Sequence, residues 1–291
     1  MSIKIFFFTL IFILTLSAED RIISLTPSIT EMIYALKKES SLVGTSSFSL
    51  YPKEAQKLPI VGGYENPNIE RILALSPTLV VGQSFNQSTL EKLKYFKIKT
   101  LKLNLKTIPN IKNSIAILAK EINSNKADKL TTDITSSITN IQTNSSPHSV
   151  MIVYGLREDL RSSTYIAGHN IFFDDIIKLS GNTNAYKASS TSQAVLNYEN
   201  IIALNPDQII ILHSHATEGG VDVAQALKNW QNLPTNASKY GNISIVDDNY
   251  LHIPSHRVAL TIKRLSDEMN TNYKVKEHSN DKKDTIFTKS F

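Results

Sequence analysis

An internal repeat constrains this 291-residue chain more than any other feature. The segment Asn68-Ile-Glu70-Arg-Ile72-Leu-Ala74-Leu75-Ser-Pro77 returns 129 residues later as Asn197-Tyr-Glu199-Asn-Ile201-Ile-Ala203-Leu204-Asn-Pro206, with six of ten positions identical. Both copies run into an apolar stretch, Leu79–Val81 and Ile209–Leu212. In each, Asn suits the cap of a short helix, Glu in the first turn complements the helix dipole, and Pro ends the helix. A chain that carries the same helix–Pro–strand unit twice is built from two related lobes. The first-turn position leaves one exposed carboxylate on each lobe.

The rest of the chain has α/β texture, with short apolar runs alternating with amphipathic segments. Strands are expected at Arg21–Leu25, Thr78–Val81, Ile98–Leu103 and Ser149–Tyr154, and a helix at Thr89–Phe96. The runs are continuously apolar, as in sheets covered on both faces. Ser28-x-x-Glu31 after Pro27 has the capping-box pattern for a helix start. Residues 108–143 differ: apolar residues recur at spacings of three and four from Ile108 to Ile122 and from Leu130 to Ile141, with Pro109 in a first turn and a break at Asn123-Ser124-Asn125. The expected fold is therefore α/β, two α/β lobes joined by a long helix. Residues 19–107 form the first lobe, 108–147 the helical linker, 148–270 the second lobe, and 271–291 a polar tail.

Residues 1–18 combine Lys4, an apolar run from Ile5 to Leu16, and the small pair Ser17-Ala18. This layout predicts a cleavable signal peptide and export to the periplasm. Without cysteine there is no disulfide, thiolate metal site or lipid-bearing Cys. Of the net charge of +5, Lys4 supplies one, and five Lys against three acids in the last 21 residues supply two more. The body is nearly balanced and offers no basic face for nucleic acid.

The sequence has no G-x-G-x-x-G, P-loop, H-E-x-x-H or G-x-S-x-G motif. Candidate chemistry gathers where strands end, the position at which open α/β sheets bind ligands. His213-Ser-His215 follows the run Ile209–Leu212; in extended backbone the two imidazoles share a face and suit a metal or a carboxylate. Tyr250-Leu-His252-Ile-Pro-Ser255-His256-Arg257 precedes another helix, where Arg257 suits an anionic group. Phe48, Tyr51, Tyr64 and Tyr154 lie near similar mouths and suit a large ringed ligand. Asp174-Asp175, Asp247-Asp248, His148, His169 and His278 read as solvated surface.

These blocks, in order, carry a family resemblance. Arg21–Glu31, Val43–Phe48 with Tyr51-Pro52, Val61–Tyr64, Asn68–Pro77, Tyr165–Gly168, Asn197–Pro206 and Pro254–Arg257 resemble the helical-backbone solute-binding proteins of ABC importers, the group handling vitamin B12, ferric siderophores and haem. The resemblance spans about residues 20–270 and implies a ligand cleft between the two lobes. It implies a non-enzymatic protein with no intrinsic cofactor, whose cargo contains iron or cobalt and whose partner is a permease dimer in the inner membrane. It further implies that Glu70 and Glu199 dock on permease arginines. Ligand-contact positions that it implies are Phe48, Tyr64, Gln83, Tyr154 and Gln193, with Tyr64, His213, His215, His252 and Arg257 suited to a metal or an anionic group and Tyr250 beside them. Two readings of another kind stand next to it: a binder of bare Ni²⁺ or Zn²⁺ through His213, His215, His252 and His256, and a secreted metallohydrolase using His213-x-His215.

Overall fold

The computed structural model describes residues 20–143, 146–161, 163–188, 192–213, 220–271 and 273–274. The expected leader, His215, His278 and most of the tail lie outside the described residues. The first half contains β1 (Ile22–Ser24), α1 (Pro27–Ala35), β2 (Leu42–Gly44), α2 (Ile69–Ala74), β3 (Leu79–Gln83), α3 (Gln87–Tyr95) and β4 (Lys99–Leu103). Two helices follow, α4 (Ile108–Glu121) and α5 (Ala127–Thr139). The second half begins with β5 (Ser149–Tyr154), β6 (Thr164–Ala167), α6 (Phe172–Leu179), β7 (Thr183–Asn184) and β8 (Gln193–Leu196). It continues with α7 (Tyr198–Leu204), β9 (Gln208–Leu212), α8 (Val223–Gln231), α9 (Asn236–Tyr240), β10 (Ile243–Val246) and α10 (Val258–Thr271).

The first sheet is parallel in the order β2-β1-β3-β4. The second repeats that order as β7-β5-β9-β10, again parallel, and adds β6 and β8 as antiparallel strands. The sequence repeat sits at the same place in both. Asn68 and Asn197 cap α2 and α7, accepting from Arg71 N at 2.9 Å and Asn200 N at 2.8 Å. Ser76 and Asn205, equivalent residues ahead of the two prolines, both take the left-handed conformation with φ of 45°. The next residue then ties its strand to the neighbouring one: Thr78 N donates to Arg21 O at 2.8 Å, and Asp207 N to Ser149 O at 3.0 Å. Duplication thus extends from six identities in a decapeptide to a whole four-stranded unit.

Alternation along the strands divides the core. Ile23 and Val80 pack with Ile72, Leu90 and Leu93 on one face of the first sheet, and Met151, Val153, Ile209 and Ile211 pack with Trp230 on one face of the second. The opposite faces, Ile22, Leu79 and Val81 with Val150, Ile152, Ile210 and Leu212, belong to one continuous core that α1, α4, α6 and α10 complete. Each fully buried Ile or Leu contributes about 2 kcal/mol, so this shared core fixes the lobes more firmly than any single polar tie.

Pro109 lies in the first turn of α4, and the break before α5 falls at Asn123, where φ is 52°. Asp175 accepts from Ile108 N at 2.8 Å, which lets the second lobe cap the helix leaving the first. Asp174 is only 1% exposed and accepts from Lys178 Nζ at 2.7 Å and Asn184 Nδ2 at 3.2 Å. His169 Nδ1 lies 3.1 Å from the same carboxylate. His148 is buried, 2.9 Å from Gln208 Oε1 and stacked on Tyr273. Asp174, Asp175, His148 and His169 are therefore structural polar residues rather than solvated surface, because the fold buries or half-buries them and other residues satisfy them. Among the described residues no helix is long and apolar enough to cross a membrane.

Candidate functional site

The carboxyl ends of β1, β3 and β5 open on a cleft of about 1140 Å³ between the lobes. Its wall on the first lobe is aromatic. Phe48 meets Tyr64 edge-on at 5.5 Å and Tyr64 meets Phe85 edge-on at 5.9 Å, with all three rings exposed. Local polar chemistry holds this wall still. Buried Thr30 in α1 lies 2.7 Å from Thr45 and 3.1 Å from Ser49, and Ser49 lies 2.9 Å from Ser46, pinning the loop that presents Phe48 and Tyr51. Asn86 donates to Tyr64 O at 2.6 Å and accepts from Gln83 N at 2.9 Å. Gly82 leaves room for this clamp, since a Cβ there would stand 3.0 Å from Asn86 Oδ1. Gln83 is anchored to Thr26 Oγ1 at 3.1 Å.

The facing wall is mainly polar: Tyr154, the 155–159 loop, Asp248, Asn249, His252 and Arg257. Tyr154 packs edge-on against Phe173 at 5.6 Å, and burial raises its phenol pKa. The Tyr64 phenol is also raised, by burial first and then by Glu65.

Arg257 does not present a free fork to the cleft. It is 7% exposed and Glu31, reaching across from α1, is 2% exposed. Arg257 Nε donates to Glu31 Oε2 at 2.9 Å, Nη2 donates to Oε1, and Nη1 donates to Asn249 Oδ1 at 2.8 Å. The Tyr51 ring lies 3.9 Å from the guanidinium carbon. Burial raises the Glu31 carboxyl, against the lowering pull of Arg257 and Ser255. The expected capping box is absent: Thr26 is the cap of α1, Pro27 opens the first turn, and Glu31 leaves the helix for Ser255 and Arg257.

Next to this pair, burial and the Arg257 charge lower His256 to about 4, partly opposed by Asp133. Its Nδ1 is buried without a hydrogen-bond partner. The folded pKa lies below the unfolded value near 6.5, so the unfolded chain takes the proton first. The neutral-imidazole contribution is intact above pH 6.5 and is lost as pH falls toward 4, by about 3 kcal/mol in all. Glu31, with a raised pKa, acts in the opposite direction, so the comparison must be with a variant. In His256→Leu, urea unfolding followed from pH 7 to 4 is expected to show a decline smaller by that amount; a decline equal to that of the unmodified protein contradicts the assignment.

Of the residues expected at the site, Phe48, Tyr64, Gln83, Tyr154, His252 and Arg257 line the cleft. Gln193 does not; it is exposed at the start of β8, paired with Ala167. Tyr250 stands behind the lining, 5.8 Å from the Arg257 guanidinium carbon. His213 is 3% exposed, its backbone N–H bonded to Val246 O at 2.9 Å, and it is not among the lining residues. Among the described residues no cluster of three His, Cys, Asp or Glu could hold a metal ion. Glu70 and Glu199 are exposed in the first turns of α2 and α7. Sequence reasoning missed Phe85, Arg157 and Glu31. Phe85 is two residues past Gln83 at a strand mouth and Arg157 three past Tyr154, so continuing past the strand ends would have found both.

Three comparisons bear on this geometry. The family described as Periplasmic binding protein matches residues 22–250. A vitamin B12-binding protein of Pectobacterium atrosepticum is 31% identical over 198 residues, 66% of this chain and 71% of that one. An uncharacterised ABC transporter substrate-binding lipoprotein of Bacillus subtilis is 27% identical over 263 residues, 86% of this chain and 79% of that one. Among solved structures, a periplasmic haem-binding protein from a Roseiflexus species in apo form superposes with a TM-score of 0.73 at 24% identity, covering 88% of this chain and 100% of that one.

Proposed function

Because the chain belongs to the periplasmic binding protein family, we propose that it is the substrate-binding component of an ABC importer. It captures a metal chelate (ferric siderophore, haem or cobalamin) in the interlobe cleft and delivers it to a permease dimer in the inner membrane. Export by the 1–18 leader to the periplasm completes this reading.

The observation that carries it is the cleft. At about 1140 Å³ it exceeds the roughly 300–1000 Å³ of most small-molecule pockets. Its exposed rings Phe48, Tyr64 and Phe85 are held by buried hydrogen bonds, so a broad face is ready to meet a broad ligand without a cost in ordering. The names of the relatives, vitamin B12-binding and haem-binding, point to ligands of that size. The iron or cobalt belongs to the cargo.

The test is visible-absorbance titration of the mature protein with haemin, cyanocobalamin and a ferric hydroxamate siderophore. Saturable one-to-one binding of one chelate is expected, weakened by about 2 kcal/mol in Tyr64→Ala, the scale of a buried aromatic anchor. Absence of saturable binding by all three, or an unchanged affinity in Tyr64→Ala, overturns the reading.

A further inference from the structure

Among the described residues lining the cleft, four carboxylates (Glu31, Glu158, Asp159, Asp248) face three cations (Lys53, Arg157, Arg257). Lys53 and Arg157 are exposed, where solvent screens them. Arg257 is the buried cation of this lining, and a planar guanidinium in such a place is a natural two-point receptor for a carboxylate. Three of its five N–H donors are already engaged, Nε and Nη2 to Glu31 and Nη1 to Asn249, with Tyr51 over its face. Ser255 fixes the arrangement, donating to Glu31 while accepting from Arg257 N at 3.1 Å.

We infer that Glu31 determines the charge selectivity of the cleft: it occupies the carboxylate-binding fork of Arg257 from within, so the cleft accepts neutral or cationic chelates and disfavours polycarboxylates. Glu31 acts here as an internal ligand. A bound carboxylate must displace it from Nε and Nη2, leaving two acids beside one Arg. The inference rests on the chelate reading of the cleft, but one arm of its test does not need the transported ligand.

In that arm, thermal unfolding is followed in the unmodified protein and in Glu31→Gln, with and without millimolar citrate as a tricarboxylate probe. Citrate is expected to raise the midpoint of Glu31→Gln by several degrees, to leave the unmodified protein unmoved, and to have no effect on Glu31→Gln combined with Arg257→Gln. Equal stabilisation of the unmodified protein and Glu31→Gln, or none of either, overturns the inference. The second arm compares haemin with its dimethyl ester, which differ by two carboxylates. The unmodified protein is expected to prefer the ester, and Glu31→Gln to shift that ratio toward the diacid by about 10- to 100-fold, the scale of one charge-assisted bidentate contact. If neither porphyrin binds either protein, haem transport fails while the citrate result still decides the role of Glu31. Should Glu31→Gln not fold, Glu31→Ala replaces it. If neither variant folds, the carboxylate is a structural bolt alone and the inference is overturned.

Discussion

Arg257→Ala is expected to lower unfolding free energy by about 3–5 kcal/mol at neutral pH, the scale for removing one partner of a buried ion pair. The loss comes less from the missing attraction than from what remains. Glu31 is almost wholly enclosed, and without the guanidinium its carboxylate keeps only Ser255 as a strong donor in the structure. Burial already raises its pKa against the pull of Arg257, so removing Arg257 raises it further. The penalty should therefore shrink as pH falls and the carboxyl takes a proton, opposite in direction to the acid loss assigned to His256. Glu31→Gln with Arg257→Met is expected to lose much less than Arg257→Ala, because no buried charge is left. Urea unfolding of the three proteins at pH 7 and pH 5 tests this. A loss under 1 kcal/mol for Arg257→Ala at pH 7, or a loss that grows in acid, rules it out.

The same pair marks the boundary of what the sequence discloses. Short-range chemistry was legible. The break before α5, the first turn at Pro109 and the two Asn caps all appear where local residue types place them. The decapeptide repeat led to two lobes because its identities include the residues that cap, turn and end the unit. Long-range pairing was not legible. Ser28-x-x-Glu31 satisfies the capping-box pattern, yet Pro27 advances the helix start so that Thr26 becomes the cap. Glu31 then finds its partner 226 positions away. Asp174 and His169 misled through burial instead: Lys178 lies only one turn from Asp174, but the packing that encloses the carboxylate and brings Asn184 to it is tertiary. The cleft was half legible. Strand mouths pointed to Phe48, Tyr64 and Tyr154 and the family resemblance added Gln83, but whether such a residue lines the cleft depends on packing that periodicity does not encode, as Tyr250 and, from the resemblance, Gln193 show.

Glu70→Ala combined with Glu199→Ala is expected to abolish uptake while leaving chelate affinity unchanged. Both carboxylates are exposed, and neither lines the cleft. Each stands in the first turn of a short helix whose free N–H groups are partly met by an Asn cap, so each helix end holds its Glu at the same place in its lobe. The prolines and left-handed residues that follow reproduce the geometry twice. Two equivalent carboxylates on two related lobes match the proposed partner, a permease dimer offering the same cationic site on each subunit. If each docking contact contributes about 2 kcal/mol, the two together weaken docking roughly a thousand-fold. The effects should add because the residues stand on helices of different lobes and share no partner. Each single change should retain measurable uptake, and charge reversal to Lys should be worse than Ala. Uptake by cells carrying the double variant, with its chelate titration run in parallel, separates docking from capture. Normal uptake in the double variant removes these residues from docking, and lost chelate affinity relocates their role to the cleft or the fold.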